Sequence, residues 1–308
     1  MGVRRSKALT ERDAAPDVSE ERHDGCAADL IQQAAGGIGA LGARRARLGA
    51  GQGLDAPCQV LERDAHRFTD GAARVIPWLG PGDPFPPVDG ALVEPNGLLA
   101  AGGDLSPPRL LDAYARGIFP WFNDGDPVLW WSPDPRMVLV PSELHVSRSL
   151  CRTIRSRQFL VTLDRAFRDV MQGCAGPRIN QDGTWITADM MRAYARLADL
   201  GHAHSVEVWA GDALAGGLYG VAVGRIFYGE SMFTRRSNAS KVAVAWLARQ
   251  LERWRFDLID CQMPTEHLTS LGAREIPRAD FLRRLARATR RPPVPAPWVL
   301  EGDLMRDL

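Results

Sequence analysis

The stretch from His202 to Phe233 reads HAHSVEVWAGDALAGGLYGVAVGRIFYGESMF and contains three runs rich in β-branched and aromatic residues. The pairs Gly211-Asp212 and Gly224-Arg225 separate the runs, and such Gly-containing pairs are typical of hairpin turns. The stretch therefore predicts three consecutive antiparallel strands. Because helical patterns flank it in the sequence, we expect an α+β fold.

The flanking segments carry start and stop signals for helices. Ser106 and Pro107 can begin a helix that Gly117 ends in a left-handed conformation. Further helices are expected over 143–157, 166–173 with its end at Gly173, 187–201, 238–254 with Asn238 as the N-cap, and 277–290. Residues 159–164 and 256–262 are predicted strands, and a Pro-rich tail follows the last helix.

Composition changes sharply near Phe68, because no Phe, Tyr or Trp precedes it. Residues 1–77 are rich in Ala, Arg, Gly and Asp, and such a segment buries too little apolar area to offset its ordering entropy. We expect a disordered extension there. A short helix at 27–35, or true initiation near Val75, are the alternatives. Residues 78–136 are predicted to form a small N-terminal α/β domain, and 137–308 the larger domain.

Charge and cysteine usage exclude several classes. The net charge is +1, so any contact with nucleic acid must come from a local patch. The five cysteines are scattered and lack a CxxC pair, which argues against a disulfide framework and a zinc site. No apolar run approaches the roughly 20 residues of a membrane helix. The sequence predicts a soluble cytoplasmic protein with no membrane partner.

The stretch FDLIDCQMPTEHLTSLGA, residues 256–273, places an acid and an amide on either side of a thiol. On a regular strand Asp260 and Gln262 share one face and Cys261 points away. A carboxylate and an amide together can hold and deprotonate an amine. The alternative is that Asp260 is a strand-end acid in a turn and that Gln262 is solvated.

Other polar groups are weaker candidates. Ser231 lies in GESMF, which lacks the second Gly of a nucleophile elbow. His202 and His204 could share a strand face as metal ligands, but nothing nearby supplies a third ligand, so hydrogen-bonded structural histidines are expected.

Arginines and aromatic residues form two further candidate groups. Arg148, Arg152 and Arg155 are spaced i, i+4 and i+7, so one helix face could straddle RNA phosphates or simply be solvated. Tryptophans in Pro/Gly-rich, loop-like settings could line a pocket, stack on a base or form core: Trp121, Trp130, Trp131 and Trp185. An apolar pocket floor could come from Leu218, Phe227 and Met232.

Eight motifs in order resemble one family: EPNGLLAAGGDLSPPRLLDAYARGIFPWF, WWSPDPR, GTWIT, GHAHSVEVW, GGLYGV, GESMF, NASK and IDCQ…SLGA. They resemble the leucyl/phenylalanyl-tRNA–protein transferases, from about Phe85 to Phe281. The resemblance implies transfer of Leu or Phe from aminoacyl-tRNA to the N-terminal amine of proteins that begin with Arg or Lys, which marks them for degradation. It also implies a larger domain like the GCN5-related acetyltransferases, and neither metal nor CoA.

The resemblance also assigns roles to matching positions. It implicates Asp260, Gln262 and Glu230 in catalysis. It places Trp121 and Trp185 near the aminoacyl-adenosine end. It gives pocket positions to Leu218, Phe227 and Met232. Leu218 stands where relatives can carry Met. It gives the contact with the tRNA acceptor stem to Arg148, Arg152 and Arg155, although Cys151 and Ser156 occupy positions that can be basic in relatives.

One mechanism fits both lines of reasoning. Gln262 would orient the attacking amine while Asp260 accepts its proton, or Asp260 would act only electrostatically while the ribose hydroxyl relays the proton. A CoA-dependent N-acyltransferase is the first competing function, but its pyrophosphate loop matches only at residues 22–27, in the aromatic-free segment. A non-catalytic RNA-binding module is the second.

Overall fold

The computed structural model describes residues 76–176 and 184–307, so the disordered extension predicted for 1–77, with its alternatives at 27–35 and Val75, lies almost entirely outside the described residues. A first sheet of four strands has the order β1-β2-β4-β3. Its strands are β1 (Trp78–Leu79), β2 (Leu98–Gly102), β3 (Phe119–Pro120) and β4 (Leu129–Trp131). Helix α1 (Pro107–Ala115) follows Ser106 and Gly117 adopts φ +76°, as predicted.

The second sheet has seven strands in the order β11-β5-β10-β9-β8-β7-β6. They are β5 (Arg136–Leu139), β6 (Leu160–Leu163), β7 (Ala203–Ala210), β8 (Ala213–Val223), β9 (Ile226–Thr234), β10 (Leu258–Gln262) and β11 (Arg274–Ile276). Strands β7, β8 and β9 form the predicted antiparallel meander. The chain therefore has the expected α+β architecture.

Helices cover both faces of this sheet. They are α2 (Arg148–Arg155), α3 (Phe167–Ala175), α4 (Ala188–Asp199), α5 (Ala239–Arg253), α6 (Glu266–Ser270) and α7 (Arg278–Ala288). One buried cluster packs α1, α3, α4, α7 and the four-stranded sheet against one face of the large sheet. A second buried cluster packs α2 and α5 against the opposite face.

The structure decides three local predictions. Helix α3 does not end at Gly173 but continues through it, and the role of Gly173 is close approach, since a Cβ there would lie 2.6 Å from the Phe233 ring. Of the alternatives for Trp130 and Trp131, the core is confirmed, because both are buried on β4. Asn238 is the N-cap residue of α5, but its backbone has φ +67° and its side chain makes no capping hydrogen bond; its Nδ2 donates to Thr153 Oγ1 at 3.2 Å.

The C-terminal tail is fastened to the large sheet by Trp298. Its indole is 1% exposed and stacks on His204 with ring centroids 3.6 Å apart. Its backbone N–H donates to Asp164 Oδ2 at 2.7 Å, and the same carboxylate oxygen bonds His204 Nδ1 at 2.8 Å. His204 is therefore a hydrogen-bonded structural residue, as expected.

Replacing Trp298 with Ala should lower the free energy of unfolding by about 3–5 kcal/mol, because a large buried aromatic side chain leaves a cavity. Val299 is 70% exposed beside it, so Val299→Ala is the matched control and should stay within about 0.5 kcal/mol of wild type. Urea unfolding measures both variants. Equal stabilities would show that the tail does not contribute to the fold.

Candidate active site

The candidate site lies where two adjacent parallel strands stop pairing. Strands β9 and β10 pair from Ile226↔Leu258 to Tyr228↔Asp260, and beyond that point both continue without pairing to each other. The pairing of β9 with β8 shifts register between Tyr219 and Gly220, and the pairing of β10 with β5 shifts after Asp260. We call the opening the β9–β10 notch; Gly229 and Glu230 border it on β9, and Asp260 to Gln262 border it on β10.

The bulge in β10 overturns the predicted geometry of Asp260 and Gln262. Asp260 pairs with Val138 and Gln262 with Met137, which are neighbours on β5 and point to opposite faces. Gln262 also has a left-handed backbone, with φ +58°. The expectation that strand alternation puts both side chains on one face is therefore wrong, although the two residues remain adjacent and the Gln262 N–H donates to Asp260 Oδ1 at 3.1 Å.

Asp260 forms a buried bidentate ion pair with Arg136. Arg136 Nε donates to Oδ1 at 2.8 Å and its NH2 group donates to Oδ2 at 2.7 Å, and both side chains are 0% exposed. The guanidinium lies between the rings of Phe119 and Phe281, 4.8 Å from each centroid. Sequence analysis did not single out Arg136, although a charged residue that opens the apolar strand RMVLV was a usable signal.

Glu230 lies half-buried in a cluster of tyrosines. It accepts hydrogen bonds from Tyr114 at 2.8 Å and from Tyr194 at 3.0 Å, and the two hydroxyls also contact each other. Burial raises the pKa of Glu230 to about 7, against the lowering effect of the two tyrosine hydrogen bonds; Asp260 adds to the rise and Arg136 opposes it. Glu230 is thus electrostatically coupled to the ion pair and titrates near neutral pH.

The predicted apolar pocket residues come together on the sheet. Leu218 on β8 pairs with Met232 on β9, and both belong with Phe227 to the cluster that packs under α5. Asp260 pairs with Val138, which belongs to the cluster on the other face. The apolar residues and Gln262, which lies opposite Met137, are therefore on the α5 side of the sheet, whereas Asp260 is on the α7 side.

Trp121 and Trp185 each hold a buried indole N–H that has no acceptor within the described part of the chain. Trp121 follows β3, and its ring lies 5.4 Å from that of Trp131, edge to face. Trp185 is half-buried just before α4. Buried donors are normally paired, so two unpaired indoles here suit a ligand that supplies oxygen or nitrogen acceptors.

Helix α2 exposes the predicted arginines. Arg148, Arg152 and Arg155 are all exposed, and the Ser147 hydroxyl caps the helix by accepting from the Leu150 N–H at 3.2 Å. Arg148 and Arg152 form no ion pair with any residue that the structure describes. The helix is confirmed, whereas its contact with tRNA stays a prediction.

Neither a cysteine nucleophile nor a metal site gains support from the described residues. Cys261 is buried on the α5 side of the sheet, and burial raises the pKa of its thiol, so it is a poor nucleophile. Within residues 76–176 and 184–307, no three His, Cys, Asp or Glu side chains gather as a metal site would require. Over the same ranges, every helix is too short or too polar to cross a membrane.

Arg136→Met should destabilise the protein by about 3–5 kcal/mol, because it leaves the buried Asp260 carboxylate without its partner. The double variant Arg136→Met/Asp260→Leu should regain at least about 1 kcal/mol of this loss, since no unpaired charge remains. Breaking the exposed Arg168–Asp199 pair with Arg168→Met is the matched control, with a change below about 1 kcal/mol. Asp260→Leu completes the double-mutant cycle, so chemical denaturation of wild type, both single variants and the double variant gives the coupling energy, and additive losses would contradict the coupling.

Comparison with known proteins identifies the family. A profile described as "Leucyl/phenylalanyl-tRNA protein transferase" matches residues 138–286, and the profile of that family's N-terminal domain matches 103–134. A leucyl/phenylalanyl-tRNA–protein transferase of Thiobacillus denitrificans is 61% identical over 71% of this chain and 96% of its own length. The transferase of Nitrosospira multiformis is 62% identical over 68% of this chain and 91% of its own length.

Solved structures give distant matches. "The structure of L-PGS from Bacillus licheniformis" aligns with a TM-score of 0.32 at 9% identity, over 55% of each chain. A GCN5-related N-acetyltransferase from Kribbella flavida gives 0.29 at 11% identity, over 55% of this chain and 60% of its own. That is the fold group that the resemblance implied, but scores this low carry no weight for the site. The sequence matches are strong over most of the relatives' length, and they show that the chain belongs to the leucyl/phenylalanyl-tRNA–protein transferase family.

Proposed function

We propose that this enzyme transfers Leu or Phe from aminoacyl-tRNA to the N-terminal amine of a protein that begins with Arg or Lys, and so marks it for degradation. The observation that carries the proposal is the β9–β10 notch, with Asp260 and Gln262 on one strand and Glu230 on the other. Ionisable and amide groups at an opening in a sheet can act on an amine and an ester together. The basic acceptor and the cytoplasmic location remain predictions.

The reaction needs orientation and proton transfer and no added activation. The amine nitrogen attacks the ester carbonyl carbon, the bond from that carbon to the ribose oxygen breaks, and the ribose hydroxyl leaves with a proton. An N-terminal amine has a pKa of about 7.7–8.0, so part of it is protonated at neutral pH. A nearby base with a pKa close to neutrality is well matched to remove the proton.

Glu230 meets this requirement better than Asp260. Its pKa of about 7 leaves it substantially ionised at neutral pH and still basic enough to accept a proton. Asp260 has both oxygens engaged by Arg136, so protonation would break a hydrogen bond to a buried guanidinium. We therefore propose that Glu230 accepts the proton of the amine. Asp260 positions Gln262 by accepting a hydrogen bond from the Gln262 backbone N–H.

Gln262 is the group we assign to orientation of the amine. It is 8% exposed, so the surrounding residues restrict its side chain before substrate binds. The amide oxygen can accept from the amine, and the amide N–H groups can donate to the ester oxygen.

Each remaining group of predicted residues binds a different part of the aminoacyl-tRNA. Leu218, Phe227 and Met232 form the apolar wall for the Leu or Phe side chain, on the α5 side of the sheet. The unpaired indole N–H groups of Trp121 and Trp185 suit acceptors on the terminal adenosine. The exposed arginines of α2 suit the phosphates of the acceptor stem.

The decisive experiment measures transfer of labelled Leu from Leu-tRNA to a peptide that begins with Arg, without CoA. We expect product, and a much smaller yield with a peptide that begins with Glu. Product that forms only when acyl-CoA is added would identify an acetyltransferase-type enzyme. Binding of tRNA without any product would identify an RNA-binding module instead.

Glu230→Gln should lower kcat by about 10²–10⁴-fold, because the general base is lost. In wild type, kcat/KM should rise as pH increases through about 7, since Glu230 must be deprotonated to accept a proton. The variant should keep only the rise due to the amine itself, near pH 8. Asp303→Asn, an exposed acid in the tail, is the control and should leave the profile unchanged. A loss confined to KM for the Arg peptide would show that Glu230 binds the basic side chain and is not the base.

A further inference from the structure

A second row of arginines lies on the terminal helix. Arg283 and Arg287 lie on α7 and Arg290 lies two residues past its end; they have the same sequence spacing as the arginines of α2, and all three are exposed. We call them the α7 arginine row. Such a row spans about 10 Å, the length that roughly three phosphates of one nucleic-acid strand occupy. Side chains of Asp280, Arg283, Arg284, Ala286 and Arg287 border a shallow depression of about 560 Å³ beside it.

Internal ion pairing leaves most of this charge uncompensated. Arg283 contacts Asp280 in an exposed i, i+3 pair, which is worth little in water. Arg287 and Arg290 form no ion pair with any described residue. The helix therefore presents net positive charge to solvent, although the whole chain has a net charge of only +1.

Past the end of α7 lies another arginine, Arg225, whose side chain has donors without an acceptor. The turn at Gly224 lies against the helix end, since a Cβ on Gly224 would be 2.2 Å from the Ala288 carbonyl oxygen. Arg225 follows in that turn, and its Nε and NH1 atoms are buried without an acceptor in the described structure. Burial lowers the pKa of Arg225 and the charge of Arg291 adds to this effect, so an external anion would relieve both.

The inner face of α7 contacts the Arg136–Asp260 ion pair. Phe281 contacts the Arg136 guanidinium at 4.8 Å and the Tyr228 ring at 6.3 Å. The α7 arginine row lies on the opposite face of this helix from Phe281, across a helix about 10–12 Å in diameter. An RNA whose 3′ end occupies the β9–β10 notch passes within reach of the row.

The strand that leads into α7 also contacts the entry to α2. Arg274 on β11 forms an ion pair with Glu143. Glu143 ends the 3-10 turn that precedes α2. The entry to α2 therefore lies beside β11, the edge strand of the large sheet that leads into α7.

We propose that the α7 arginine row, with Arg225 at its end, is a second phosphate-binding surface for the tRNA, separate from α2. This inference rests on the proposed function for the identity of the RNA. The row contacts the sugar–phosphate backbone and reads no bases. Its role is to hold the body of the tRNA while α2 and the notch hold the acceptor end.

The test compares Arg283→Gln/Arg287→Gln/Arg290→Gln with a control triple, Arg168→Gln/Arg192→Gln/Arg196→Gln, which removes equal charge from exposed positions on α3 and α4. Fluorescence anisotropy measures the Kd for deacylated leucine tRNA over a range of salt concentrations. We expect the α7 triple to raise Kd at least about tenfold and to make the log–log salt slope shallower by about 2–3, and the control to change neither. Equal unfolding midpoints establish that all variants are folded.

Kinetics separate this proposal from the proposed function. With Leu-tRNA the α7 triple should raise KM and keep kcat, and with a leucylated CCA trinucleotide it should equal wild type. If the α7 triple variant binds tRNA as tightly as wild type while transfer is normal, the proposed role of the α7 arginine row is wrong and the proposed function stands. Absence of transfer in wild type, with tRNA binding still dependent on the row, would overturn the proposed function alone. Loss of binding to phosphatidylglycerol vesicles or polyglutamate, without an effect on tRNA, would assign the row to a membrane or an acidic protein and overturn the proposal.

Discussion

The buried ion pair between Arg136 and Asp260 connects every part of the structure that the site needs. Its two residues belong to adjacent strands, β5 and β10, and its guanidinium is held between Phe119 of the small sheet and Phe281 of α7. Two charges at 0% exposure are tolerated only when each satisfies the other with good geometry. The small sheet, the large sheet and the terminal helix are therefore fixed relative to one another at the point where β9 and β10 separate.

That constraint explains why the acid next to Gln262 is not the best proton acceptor. Asp260 is held by two short hydrogen bonds from Arg136 and itself accepts from the Gln262 backbone, so its contribution is geometric. Glu230 is placed differently, between neutral tyrosines that have no charge to compensate it. Burial then raises the pKa of Glu230 into the range where a carboxyl group can exchange protons with an amine. Two carboxyl groups of one cluster thus take separate roles because their partners differ.

Sequence reasoning succeeded where local patterns decide the outcome. The β7–β9 meander followed from three strand-forming runs and the Gly-containing turns between them, and α2 followed from a short basic segment with periodic arginines. It failed at the bulge in β10, because Gln262 adopts φ +58° without a Gly to signal it. It also missed Arg136, whose partner lies 124 residues away, and it took Gly173 as a helix end because sequence does not show the Phe233 ring against it.

The division of the large sheet into two faces also bears on substrate selection. The apolar residues Leu218, Phe227 and Met232 lie on the face covered by α5, whereas the ion pair lies on the face covered by α7. An ester bound at the notch can direct its apolar side chain to the α5 face and leave its carbonyl at the opening, which Gln262 borders from the α5 side and Glu230 from the α7 side. Apolar contacts alone distinguish one methylene by only about 1–3 kcal/mol, so the wall must select by shape. The same separation leaves the polar side free to bind a basic acceptor without exposing a charge to the apolar wall.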